Sequence, residues 1–146
     1  MHRMNKLFLF LLLLPFTACT EGVIEDKTTD TVTIQEPLVK AVDVDGFEKA
    51  MQQKNVLILD VRTDGEVAQG VIPGAVQMDF MNRAEFENGV ASLDKNKQIL
   101  VYCKVGGRSA KAAEYLKGKG FLSVYDLRGG FDAWSAAGKQ TETIQK

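Results

Sequence analysis

Two short apolar runs, Val56-Leu57-Ile58-Leu59 and Ile99-Leu100-Val101-Tyr102, constrain the fold of this 146-residue chain more than any other feature. Neither alternates with polar residues, and each stops on a side chain with chemistry of its own: Asp60 after the first, Cys103 after the second. A strand apolar at every position belongs in a sheet covered on both faces, where odd and even side chains alike leave water. The segments around these runs supply the cover. Leu38 to Val42 predicts another strand, and Asp43 or Asp45 caps a helix to about Gln53 with Phe47, Ala50 and Met51 inward. Asp64 to Gln69 reads as one helical turn, Gly70 to Gly74 as a loop fixed by Pro73, and Ala75 to Met78 as a short strand. Helices follow at Asn82 to about Asn88 and Ser109 to Lys117, then a strand at Val124 to Leu127. Gly129-Gly130 opens a closing helix with Phe131, Ala133 and Trp134. This alternation predicts an α/β fold: a mostly parallel central sheet of about five strands with helices on both faces. Ligands of such sheets sit beyond the carboxyl ends of the strands, where Asp60 and Cys103 lie.

The N-terminal 18 residues read as a signal peptide. His2, Arg3 and Lys6 precede an apolar stretch from Leu7 to Leu14, and an apolar core of about ten residues falls short of the roughly 20 that span a membrane. Phe16-Thr17-Ala18-Cys19 resembles the lipobox of bacterial lipoproteins, which implies cleavage before Cys19 and lipidation of its thiol; an ordinary secretory signal cleaved nearby is the alternative. Residues 19–37 are then the lipidated N-terminus and a polar tether with weak strand propensity at Thr31 to Ile34, and residues 38–146 a single domain. The expected location is the bacterial cell envelope, lipid-anchored and either periplasm-facing or outer-membrane associated, with the membrane contacted only through the anchor.

Charge and residue counts narrow the chemistry. With 18 basic and 19 acidic side chains the formal net charge is −1, so no nucleic-acid partner is expected. His2 is the only histidine and lies in the segment to be removed, which leaves no Cys-His protease mechanism and makes a metal site improbable. Cys19 and Cys103 are the only cysteines, so lipidation of the first leaves the second without a disulfide partner.

In Cys103-Lys104-Val105-Gly106-Gly107-Arg108-Ser109 a thiol ends a buried strand and a glycine turn leads into a helix. Converging amides and a helix N-terminus favour an anion, and Lys104 and Arg108 are candidates to add positive charge, although a solvated Lys104 or an Arg108 bonded to loop carbonyls fits the sequence as well. Thiolate activation alone accomplishes little. Lowering a thiol pKa from about 8.5 to about 6.5 raises the thiolate fraction at pH 7 roughly 25-fold, while intrinsic nucleophilicity falls about 8-fold. The loop's main work is therefore to neutralise an anionic donor and to hold the product.

Cys103-x-x-Gly106-x-Arg108-Ser109 resembles the active loop of rhodanese-domain sulfurtransferases. Leu59-Asp60-Val61-Arg62 with Glu66, Ile72-Pro73-Gly74-Ala75, and Leu127-Arg128-Gly129-Gly130 before Trp134 match the family in order and spacing; Val71 stands where the family often has His. The resemblance implies a rhodanese-like fold in which Cys103 alternates between thiol and persulfide, moving a sulfane sulfur from a small donor anion such as thiosulfate to a thiol or cyanide-type acceptor. It implies that the amides of Lys104, Val105, Gly106, Gly107 and Arg108 bind the sulfur. Asp60, Arg62 and Ser109 would support the loop, with Arg62 paired to Glu66. No cofactor beyond the covalent cysteine persulfide is required, and a monomer is expected. Phosphatase-type loops are one residue longer, whereas four residues separate Cys103 from Arg108. The other alternative is a noncatalytic or protein-specific persulfide-relay module in the envelope.

Overall fold

A computed structural model describes residues 36–143. The signal peptide, Cys19, the tether as far as residue 35 and the possible strand at Thr31 to Ile34 lie outside the described residues. The elements alternate as the apolar runs require: β1 Leu38–Val42, α1 Val44–Met51, β2 Val56–Asp60, α2 Asp64–Val67, β3 Ala75–Gln77, α3 Arg83–Ala91, β4 Gln98–Tyr102, α4 Gly107–Gly118, β5 Ser123–Leu127 and α5 Gly130–Ala136. The strands form one parallel sheet in the order β1-β5-β4-β2-β3.

The period of two along β4 assigns its side chains to opposite layers. Ile99 and Val101 pack with Leu59, Val124 and the α3 and α4 residues Phe86, Val90, Ala112, Ala113 and Leu116. Leu100 and Tyr102 pack on the other face with Phe47 and Ala50 of α1 and Trp134 of α5. Each large side chain so buried contributes about 1.5–3 kcal/mol, which is why the central strands tolerate no polar alternation.

Local chemistry sets the helix starts. Asp43, rather than Asp45, caps α1, its Oδ1 accepting from Gly46 N at 2.9 Å. Helix α3 runs to Ala91, past the expected Asn88, so that Phe86 and Val90, four residues apart, share its buried face. Helix α4 begins at Gly107 and not at Ser109, because Gly106 already serves as its N-cap.

Strand order matters for the site. From β2 the chain moves outward to β3, whereas from β4 it moves to β5 on the opposite side, so the paths diverge between the adjacent strands β2 and β4. The crevice beyond their carboxyl ends is the place where parallel sheets bind ligands.

A strap formed by the end of the chain has no counterpart in the sequence pattern. Lys139 Nζ bonds to Asp45 at 3.0 Å and Glu48 at 2.7 Å, and Trp134 Nε1 donates to the Gln140 carbonyl at 2.8 Å. Glu142 then bridges antiparallel to Val71 and accepts from Gly74 N at 2.8 Å. Val71, fully buried, is thus part of a packed backbone junction.

Candidate active site

Cys103 follows β4 directly and is 1% exposed. Gly106 adopts φ 102°, a left-handed conformation that costs a side chain about 1–2 kcal/mol and glycine little. The turn brings the Gly106 N–H to Cys103 Sγ at 3.1 Å. Ser109, in the first turn of α4 and fully buried, places Oγ 3.5 Å from Sγ and 3.1 Å from the Gly106 carbonyl. Burial pushes the thiol pKa up, but the Ser109 hydroxyl and the amides of Ser109, Gly106 and Val105 together outweigh it, so the pKa is lowered. Donors that converge on the sulfur favour a negative charge there.

The loop is held from behind by α5. Phe131 N–H donates to the Cys103 carbonyl at 2.8 Å and Asp132 N–H to the Lys104 carbonyl at 3.0 Å. This approach is possible because a Cβ on Gly130 would run into those same carbonyl oxygens. Gly130 is therefore a close-contact device at the base of the last helix.

The ion pairs correct the expected pairing. Arg62 does not bind the Glu66 side chain. Its Nε lies 3.0 Å from each Asp60 carboxylate oxygen, and its Nη2 lies 2.6 Å from Asp60 Oδ2 and 2.8 Å from the Gly70 carbonyl. Glu66 offers Arg62 only its backbone oxygen, at 3.4 Å. The reason is burial: Arg62 is 2% exposed and Asp60 0%, and separating two such charges leaves each unsolvated. The guanidinium also lies 4.0 Å from the Phe131 ring centroid, so Arg62 ties the end of β2 to α5 and to the Gly70 loop. Asp60 and Arg62 thus form a buried strut behind Phe131, whose N–H holds the Cys103 carbonyl.

Glu66 instead takes Arg108 across the crevice, with Nη1 to Oε2 at 2.8 Å and Nη2 to Oε1 at 2.6 Å. Thr63 adds its N–H at 3.0 Å and its hydroxyl at 2.8 Å to Glu66 Oε2. Lys104 lies 3.3 Å from Asp132, both half exposed. The two cations of the loop are thus each matched by a carboxylate. The amides of Val105, Gly106 and Ser109 act on the Cys103 sulfur, while Val105, 64% exposed, also forms the outer rim and Gly107 opens α4. Sequence reasoning missed the roles of Thr63 and Asp132; opposite charge alone could not have selected Asp132 or Glu66 as partners.

The Arg108 pair, then the Thr63 bonds, outweigh desolvation and lower the Glu66 pKa from 4.5 to about 2. A depressed folded-state pKa gives stability that is present above pH 4.5 and lost as pH falls toward 2. Glu66→Gln is therefore expected to cost about 1–2 kcal/mol at pH 7 and progressively less below pH 4.5. Urea melts at pH 7 and pH 3 check this; equal destabilisation at both would show that the pair contributes nothing through its charge.

Comparison with known proteins agrees with this geometry. The family model described as "Rhodanese-like domain" matches residues 43–137. The chain is similar to a thiosulfate sulfurtransferase of Pseudomonas savastanoi pv. phaseolicola, 35% identical over 97 residues, covering 66% of this chain and 88% of the relative. It is also similar, at 40% identity over 100 residues, to a tRNA uridine(34) hydroxylase of Aster yellows witches'-broom phytoplasma, of whose length it covers only 32%. A solved rhodanese-like domain protein from Staphylococcus aureus superposes with a TM-score of 0.61 at 33% identity, covering 73% of this chain and 99% of that one.

Proposed function

The chain belongs to the rhodanese-like domain family, and on that premise we propose that it is a sulfurtransferase whose Cys103 carries the transferred sulfur. The observation that carries the reading is the Cys103 thiol sealed at the end of β4 with the Gly106 amide 3.1 Å from Sγ and further donors beside it. In the first step the thiolate attacks the outer sulfur of a donor such as thiosulfate. The donor's S–S bond breaks, sulfite leaves with the electron pair, and Cys103 becomes a persulfide. In the second step a thiolate or cyanide attacks the outer sulfur and returns Cys103 as thiolate. The carrier is the cysteine itself, so no metal or organic cofactor enters the scheme. Of the two loop cations, Lys104 is the freer to meet an anionic donor, since its 3.3 Å contact is half exposed while Arg108 is held in two bonds to Glu66. The hydroxylase relative lies mostly outside the shared part.

Incubation with thiosulfate should add one sulfur atom to the chain, seen by intact-mass spectrometry, and cyanide should remove it as thiocyanate. No adduct from thiosulfate, but one from a protein-bound persulfide, would assign the chain to a protein-specific relay. No adduct from either would overturn the proposal.

We further propose that the domain works in the bacterial envelope as a monomer tethered through a lipid on Cys19. Growth with a fatty-acid probe should label the wild type and not Cys19→Ala, while both accept sulfur equally. An unlabelled wild type would remove the anchor.

A further inference from the structure

Two carboxylates are buried at the carboxyl end of the sheet, Asp60 and Asp126. Asp60 is saturated by Arg62, but Asp126 Oδ1 is sealed from solvent and has no hydrogen-bond partner. Asp126 lies two residues after Val124 on β5 and in register with Val101 of β4. Both those residues pack against α4, so the strand period puts Asp126 under the first turn of that helix. The fully buried Ser109 sits in that first turn, and Asp126 Oδ1 below it is unpartnered.

Ser109 Oγ has one hydrogen and two acceptors already within reach, the Gly106 carbonyl at 3.1 Å and Cys103 Sγ at 3.5 Å. What lies on its far side decides which acceptor receives that hydrogen. We propose that Asp126 is a positioning residue for the sulfur carrier, in which its protonated carboxyl donates to Ser109 Oγ and so leaves the Ser109 hydrogen for Cys103 Sγ. This rests on the assignment of Cys103 as the sulfur carrier.

An ionised Asp126 is an acceptor only. It would draw the Ser109 hydrogen away from the sulfur, and it would set a second negative charge behind a hydroxyl already facing a thiolate, an arrangement in which one of the two groups keeps its proton. Among the described residues no Lys or Arg forms an ion pair with it. In register with Asp126 stand Ala41 of β1 and Val101 of β4, the strand that continues into Cys103, and the first turn of α4 carries Ser109 and the Glu66-bound Arg108. Burial raises the Asp126 pKa and the Ser109 hydroxyl lowers it by less.

The full chain with Cys19→Ala has Cys103 as its only thiol, so the pH midpoint of alkylation by iodoacetamide reports the Cys103 thiolate without any sulfur donor. Asp126→Asn, whose amide still donates to Ser109 Oγ, should leave the midpoint within about 0.3 unit. Asp126→Leu, which donates nothing, and Ser109→Ala should each raise it by about one unit, with no further rise when combined. Asp126→Ala replaces the Leu variant if that does not fold. If neither folds, the Ser109→Ala rise must appear equally with Asp and with Asn at position 126. An unmoved midpoint in Asp126→Leu, an Asn variant displaced as far as Leu, or an Asn variant lowered by a full unit would each overturn the proposal. The last is the signature of an ionised Asp126. A chain that shows the expected pattern yet never accepts sulfur would lose the carrier reading and keep the positioning one.

Discussion

Cys103→Ser is expected to abolish sulfur loading altogether while leaving the fold intact. The side chain is 1% exposed and packed in the cluster shared by α3 and α4, and exchanging sulfur for oxygen there costs little volume, so thermal melts should differ by a few degrees at most. The chemistry does not survive the exchange. An ordinary cysteine thiol is half ionised near pH 8.5, and its pKa is lowered here by the Ser109 hydroxyl and three amides against the opposing effect of burial; a serine hydroxyl stays neutral under the same donors. Loss of the thiosulfate adduct, and of thiocyanate formation in the presence of cyanide, should be complete to the detection limit. Turnover retained by the Ser variant would place the chemistry on another group.

Gly130→Ala should be the most damaging single methyl group that can be added to the site. The position has φ 59°, and the new Cβ would collide with the carbonyl oxygens of Cys103 and Lys104. Relief requires α5 to withdraw, which breaks the Phe131 and Asp132 amide bonds to those carbonyls and displaces the loop that holds the sulfur. Left-handed strain and two lost hydrogen bonds sum to about 3–4 kcal/mol of stability, and a shift of the loop by about 1 Å is expected to slow sulfur loading about 100-fold. Gly107→Ala is the control. It lies in the same loop, but its Cβ would meet nothing within 4 Å, and alanine favours a helix by about 1 kcal/mol over glycine, so stability should hold or rise. Equal damage from both substitutions would mean that loop flexibility, rather than the approach of α5, is what glycine provides here.

The legible part of this molecule was the part written in contiguous residues. The runs ending in Asp60 and Cys103 declare buried parallel strands because a period-two sheet covered on both faces admits no polar alternation. The Cys103 to Ser109 stretch declares its own turn, since the left-handed Gly106 and the amide at 3.1 Å from Sγ are separated from the thiol by only a few bonds of chain.

Tertiary structure decided everything that depends on two distant segments meeting. The resemblance implied Arg62 as the partner of Glu66, and only burial of Arg62 against Asp60 and Phe131 leaves the carboxylate to Arg108, 42 residues away. Glu142 reaches Val71 and Gly74 through a strap with no hydrophobic period to announce it. Asp126 reads as an ordinary polar residue in a strand until the fold slides it beneath Ser109. Local sequence thus determines which backbone conformations and which sulfur chemistry are available, because propensity, periodicity and turn geometry act over a few residues. Which charges pair, and which stay unpaired, is decided by desolvation, which exists only once the chain has closed around them.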